Sequence, residues 1–412
     1  MSTSAGSEEV ALATALPGVH PASLGGAGAA LHSRLESVRR EPFRLFFPLG
    51  LMIAAAGVVP WLSFGRGWIL AWPGLPHSLA MTQGFLLAMA IGFLGTMLPR
   101  RTKSAPLSTA ELVVLAVTVV LAPALLILGA TVAGEAVMIV ALATVVRFVA
   151  VRFLTRPAEV SIPPSFLFIP QALLHGVVGA ILLMAPGSPW RLDLGRALVG
   201  QGVVFPLVLA LAPLLLSIIA HGRPPTAGAA TGFGVDGLVA AGFSASFVCE
   251  AWLSGPIALF ARGAFVTLAL SRAGVWTPCS RAGLHRSLFR LSLLLLPIGI
   301  FAAALFPGQR VAFLHVAYVG GLGLLTLSTS VHVIVSHTGR GFLADRRPWP
   351  LVVAAVLLVC CAALRSQLDH AGARYFDALT LAAVLWLLGV LVWAAFLVPM
   401  LLRPAASPGH GE

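Results

Sequence analysis

Twelve times along this chain an apolar run long enough to cross a bilayer is closed by a short break of Arg, Pro or Gly. The runs lie near 43–64, 77–99, 110–132, 134–154, 165–186, 197–221, 234–255, 257–275, 286–306, 311–336, 349–368 and 376–402. In hydrocarbon the backbone must satisfy its own N–H and C=O groups, and about twenty apolar residues suffice for one helical crossing. The expected fold class is therefore all-α: a polytopic membrane protein, a bundle of about twelve transmembrane helices. Short connections make successive helices antiparallel neighbours. Residues 1–41 read as a flexible N-terminal tail rich in Ala, Gly, Ser and Pro, 42–403 as a single transmembrane domain, and 404–412 as a C-terminal tail. The N-terminal stretch lacks a basic start followed by an apolar core, so it does not read as a signal peptide.

Composition agrees. Only 10% of the 412 residues are charged and 58% are apolar, where a soluble chain carries about 25% charged residues. The net charge of +12 does not point to nucleic acid, because the arginines are scattered through short connections; in a membrane protein such residues set orientation. With the N-terminus inside, 18 Lys and Arg fall in inner loops and 6 in outer loops, while Arg147 and Arg262 lie within spans. Both termini are expected in the cytoplasm.

Cys249, Cys279, Cys360 and Cys361 form no C-x-x-C and no C-x-x-C-H, which excludes covalent c-type haem attachment. No hydrolytic constellation, Walker loop or dinucleotide fingerprint is present, and the glycine-rich runs lie inside apolar spans where phosphate would not go.

The chemistry-bearing residues are histidines. His77 opens the second span at the outer face and His315 lies one turn into the tenth from the same face. His175 is mid-bilayer in the fifth span. His221, His285, His332 and His337 lie towards the inner face. His315 and His332 share one helix but are separated by ~25 Å of rise, so they cannot hold one metal. Depth thus yields an outer pair, His77 with His315, and a separate inner group. The second span, HSLAMTQGFLLAMAIGFLGTMLPRR, and the tenth, HVAYVGGLGLLTLSTSVHVIVSHTGR, both open on histidine and are rich in glycine. This is a faint internal repeat, and small residues also let helices pack closely in lipid.

The stretch from His315 to Arg340 resembles the NnrS family of bacterial membrane proteins. His315, Gly320, Gly323, His337, Thr338, Gly339 and Arg340 match its pattern in register, with Ser336 in place of the usual glycine. His77, Gly84, Gly92, Leu98 and Pro99 are similar to the family's second span, and Pro42 to Phe47 to its entry into the first. The resemblance implies a membrane protein carrying non-covalent haem b and copper, with nitric oxide as the small ligand and a role in nitric oxide metabolism or resistance to nitrosative stress. Many family members carry a second histidine two residues after the first, followed by Glu and Met. Here those positions are Leu79, Ala80 and Met81, so a metal that depended on that histidine has lost a ligand.

Each candidate has a functional and a structural reading. His77 and His315 at one depth can clamp a haem iron from two helices, or cap helix ends. His175 can ligate, or hydrogen-bond a neighbouring helix. His337 and Arg340 can hold an anionic group such as a haem propionate, or belong to a turn in which Thr338-Gly339 ends the helix. His332 joins that inner group. His221 and His285 are expected at the interface, and His20, His32, His370 and His410 in solvent. Glu250 and Arg262, at matching depth in the seventh and eighth spans, are expected to neutralise one another. The alternative function is a metal-free twelve-helix secondary transporter of a small solute, with His175 and Pro206 or Pro213 at its site.

Overall fold

The computed structural model describes residues 32–185, 187–223, 233–340 and 347–402. Most of the two expected tails, with His20, His410, Arg346 and Arg403, lies outside the described residues. Residues 32–40 of the first tail are helical, and Arg39 there donates to the Leu107 carbonyl at 2.8 Å.

The helices are α1 (Phe43–Gly65), α2 (Gly74–Thr102), α3 (Thr109–Ile127), α4 (Thr131–Leu154), α5 (Pro164–Met184), α6 (Pro189–Ala220) and α7 (Phe233–Trp252). There follow α8 (Gly255–Arg272), α9 (Leu284–Leu305), α10 (Pro307–His337), α11 (Trp349–Ser366) and α12 (Gly372–Leu402). Among the described residues, eleven helices are long and apolar enough to cross a membrane; α8 is not one of these. Its 18 residues include Arg262 and Arg272, which dilute its apolar character, yet it packs between α7 and α9 as a spanning helix would. The chain is a multi-pass all-α membrane protein.

The helices fall into three groups of four. In each group the first helix packs on the second (α1 on α2, α5 on α6, α9 on α10) and the third and fourth form a hairpin (α3 with α4, α7 with α8, α11 with α12). Contacts of α4 with α5, α8 with α9 and α12 with α1 close the ring. The second helices form its centre: α2, α6 and α10 are 78%, 83% and 67% buried, against 33–56% for the other eight apolar helices.

These three central helices share an irregularity. Each starts as a short α segment, loosens into a π-helix and resumes as α. Besides a further π turn that ends α6 (Leu216–Ala220), the segments that follow the opening turns are Ala80–Leu86 in α2, Leu198–Gly202 in α6 and Val316–Gly323 in α10. Each has glycine at its fifth position, Gly84, Gly202 and Gly320, and the first two have glutamine at the fourth, Gln83 and Gln201. The likeness between the second and tenth spans therefore extends to the sixth. Close packing explains two of the glycines: a Cβ on Gly84 would lie 2.6 Å from Ile53 Cγ2, and one on Gly202 3.0 Å from His175 Nδ1. π-Helical turns are rare and gather at functional sites.

The end of the bundle that carries His77 and His315 is termed the upper end. At the lower end Glu41, just before α1, joins three helices. It accepts from Arg44 at 2.7 Å, from Arg100 of α2 at 3.1 Å and from the Nδ1 of His337 of α10 at 2.8 Å. Arg44 also donates to the Leu401 carbonyl of α12. Partial burial would raise the Glu41 carboxyl, but the hydrogen bonds from His337 and Arg44 outweigh it and hold the group at about 2. Higher up, Trp393 of α12 donates to Ser330 of α10, and Trp386 to the Ala54 carbonyl of α1.

Candidate functional site

A cavity of about 910 Å³ opens at the upper end, where the upper halves of α2, α6 and α10 meet α12. Trp61, Phe85, Trp386 and Leu314 give it apolar walls, and Arg196, Arg310 and Arg365 bring guanidinium groups to it. His77 and His315 both line it. Each stands in the short helical turn immediately above a π segment.

The two imidazoles are prepared in the same way. His77 Nδ1 is 2.8 Å from the Gly57 carbonyl, and His315 Nδ1 is 2.7 Å from the Val311 carbonyl. A carbonyl only accepts, so in both rings Nδ1 carries the hydrogen and Nε2 keeps a bare lone pair. That is the arrangement in which histidine serves as a metal ligand, with the second nitrogen fixed by an outer partner. Edge-on contacts set the ring planes, His77 against Trp61 at 5.9 Å and His315 against Tyr318 at 6.3 Å.

Arg365 of α11 lies beside His315. One of its terminal nitrogens is 3.3 Å from Nε2 and 3.5 Å from Nδ1. A donor in line with the Nε2 lone pair would stand much farther from Nδ1 than from Nε2. The guanidinium is thus displaced from that axis, and the lone pair is not spent on it. Arg365 is itself tied to Tyr375, which also lines the cavity.

A buried charge network backs the opposite wall. Arg262 of α8 is fully buried. It donates to Glu250 at 2.6 Å, to Gln201 Oε1 at 2.7 Å and to Ser246 at 3.0 Å, and lies 3.7 Å over the Phe247 ring. Glu250 also pairs with Arg310. The expected Glu250–Arg262 pair is present, with Gln201 added to it. A second buried contact joins Gln83 to Glu135 of α4, the amide nitrogen being 3.0 and 3.2 Å from the two carboxylate oxygens. So the fourth-position glutamine of two π segments is held by an ionisable residue from the fourth helix of its own group. The sequence signal was there, a T-Q-G and a G-Q-G at matching depth, but glutamine carries no charge to demand a partner. Gln201, Tyr318 and Glu135 were not among the expected site residues.

The other expected site residues lie away from this cavity. His175 uses both ring nitrogens between helices, with Nδ1 at 2.9 Å from the Gly202 carbonyl and Nε2 at 3.0 Å from the Ser244 hydroxyl. His332 faces His285, ring on ring at 5.5 Å. His337 stands between Glu41 and Arg100, 3.1 Å from the latter. Gly339, at φ +70°, ends α10, and the Arg340 N–H caps it on the Val335 carbonyl. Of the six expected residues the cavity brings together two, His77 and His315. Leu79 lines it as well. Among the described residues no three His, Cys, Asp or Glu side chains converge to hold a bare metal ion.

A protein-family model described as NnrS protein matches residues 37–405, nearly the whole chain. No curated protein matches it.

Proposed function

Because this chain belongs to the NnrS family, we propose that it binds haem b in the upper cavity and acts in nitric oxide metabolism or resistance to nitrosative stress. One observation carries this reading. His77 and His315, from helices far apart in sequence, line one cavity, and each already has Nδ1 bonded to a main-chain carbonyl. A porphyrin supplies four of the iron's ligands, so one or two imidazoles complete the set; a bare ion needs the larger donor cluster that is absent among the described residues. The volume of about 910 Å³ lies at the upper end of the range usual for cofactor sites. Copper is not part of the proposal: Leu79 stands where many family members have a second histidine, and among the described residues no three His, Cys, Asp or Glu side chains gather to hold such an ion.

Haem, when bound, would supply an iron centre for ligand binding or electron transfer. The protein's own residues do the rest. Gly57 and Val311 fix the tautomers of His77 and His315, and the two π segments bring those rings to one depth. Trp61, Phe85 and Trp386 would give a macrocycle apolar walls, and Arg196, Arg310 and Arg365 would be suited to its propionates. Cytoplasmic termini, from the distribution of basic residues, would turn the cavity mouth to the outside of a bacterial inner membrane.

The test is the optical spectrum of the purified protein with iron analysis. A Soret band, weakened or lost in both His77→Ala and His315→Ala but kept in His175→Ala, is the expected result. A well-folded, colourless, iron-free protein overturns the reading and favours the metal-free transporter.

A further inference from the structure

The chain has two tyrosines, and both line the upper cavity. Tyr375 is tied to Arg365. Tyr318 is one turn below His315, and its hydroxyl lies against the π segment of α6: a Cβ on Gly200 would be 3.5 Å from it. The Gln201 side chain approaches the same phenol.

The direction of the hydrogen bonds here is fixed from behind. Arginine only donates, so the oxygen 2.7 Å from Arg262 must be Gln201 Oε1. Arg262 cannot turn away, being fully buried between Glu250, Ser246 and the Phe247 ring. Gln201 therefore presents its amide N–H₂ to Tyr318. An amide nitrogen donates and the phenol oxygen accepts. With its oxygen turned to Arg262, Gln201 leaves its donors on the Tyr318 side, so the phenol's own hydrogen is left over. Among the described residues it has no acceptor, and the side chain that carries it lines the cavity.

We propose that Tyr318 is the hydrogen-bond donor to the small molecule taken up in this cavity, and that Gln201, anchored by Arg262, is the positioning residue that aims it. The ligand class follows: a small molecule with an oxygen or nitrogen acceptor atom. The assignment rests on the haem reading above, in the form in which one imidazole would hold the iron and the remaining position would be left to the ligand.

The probe is nitric oxide, added to the reduced full-length protein in detergent. Two readouts are followed, the N–O stretch in the infrared and the rate of nitric oxide loss. Tyr318→Phe keeps the ring and removes only the donor. It is expected to leave the Soret band and thermal stability unchanged, shift the N–O stretch and speed nitric oxide loss about fivefold, the effect of one hydrogen bond. Gln201→Glu is the directional test. A carboxylate at that position accepts the phenol hydrogen, so this variant should shift the stretch as Tyr318→Phe does although the tyrosine is intact. A role in packing alone would not produce that match.

If Tyr318→Phe has the wild-type stretch and rate, the assignment to Tyr318 is overturned while the haem reading stands. The same holds if Gln201→Glu leaves the stretch unmoved, which removes the positioning role, or if wild-type haem takes up no nitric oxide. Absence of a Soret band overturns the haem reading, and this assignment with it.

Discussion

Glu41 and His337 lie 296 positions apart and share a hydrogen bond of 2.8 Å, which ties the entry to the first transmembrane helix to the end of the tenth. The histidine most suggestive of a family signature is thus held by a carboxylate at the lower end of the bundle. Its other nitrogen faces Arg100. This clasp joins α1, α2 and α10, and through Arg44 it reaches α12.

Loss of the carboxylate should loosen the lower end without touching the cavity. Glu41→Gln is expected to lower stability by on the order of 2 kcal/mol at neutral pH, read as a fall in thermal midpoint in detergent, with the Soret band retained. The pH dependence has a definite sign. The folded carboxyl titrates at about 2 against an ordinary value of 4.5, so the unfolded chain binds more protons in that interval. The stabilisation is complete above about pH 4.5 and is lost as pH falls towards 2. Wild type and Glu41→Gln should therefore converge in acid. Parallel midpoints across that range would show that the clasp contributes nothing.

Arg262 is a buried cation with three polar partners, and removing it strands them. Arg262→Met is expected to destabilise by about 3–5 kcal/mol, because Gln201 loses its anchor and Glu250 keeps only Arg310. Adding Glu250→Gln should recover part of that loss, since the stranded charge is removed too. A double variant no more stable than the single, measured by denaturant or thermal unfolding, would argue against charge stranding as the cause.

Gly299 of α9 packs directly on the backbone of the π segment of α10. A Cβ there would stand 2.5 Å from the Ala317 backbone nitrogen, an atom that cannot swing aside as a side-chain tip can. Gly299→Ala should therefore push α9 from α10, at about 1–3 kcal/mol. It should also disturb His315, two residues from Ala317, so haem retention is expected to fall alongside stability. Normal haem content in this variant would mean that the π segment is more compliant than its packing indicates.

Arg365 places a positive charge beside His315. With haem in the cavity, Arg365→Leu removes a charge that favours the reduced iron, and the reduction potential should fall by on the order of 50 mV. A spectroelectrochemical titration measures this. An unchanged or raised potential would place the iron out of range of Arg365.

Much of the fold was legible because hydrophobic length is a strong signal and lipid permits few alternatives. The weak point was α8, where Arg262 thins the apolar run; there the helix owes its place to buried partners, which a hydropathy count does not see. Depth along α10 also separates His315 from His332 on sequence alone, since rise per residue is fixed. What could not be read was where each polar group finds its partner. His175 was a ligand candidate because an imidazole in lipid needs a partner, and a main-chain carbonyl at Gly202 with the Ser244 hydroxyl fills that need. Glu250 and Arg262 could be paired in advance because two opposite charges in apolar spans must meet. Gln83, Gln201 and Tyr318 carry no charge, so nothing in their spacing announced a network.

The π segments carry one further consequence. A π turn is an α-helix with a surplus residue, and that surplus offsets the phase of everything below it from everything above it. In α2 and α10 the offset lies immediately beneath the histidines, so the face that carries them and the face that packs lower down are set independently. Removing a single residue within Ala80–Leu86 or Val316–Gly323 would turn the bulge into an ordinary turn and leave both halves facing as they do, whereas the same deletion in the regular helix below would turn one half against the other by about 100°. A one-residue change of length is thus absorbed inside these segments and not in the regular turns around them.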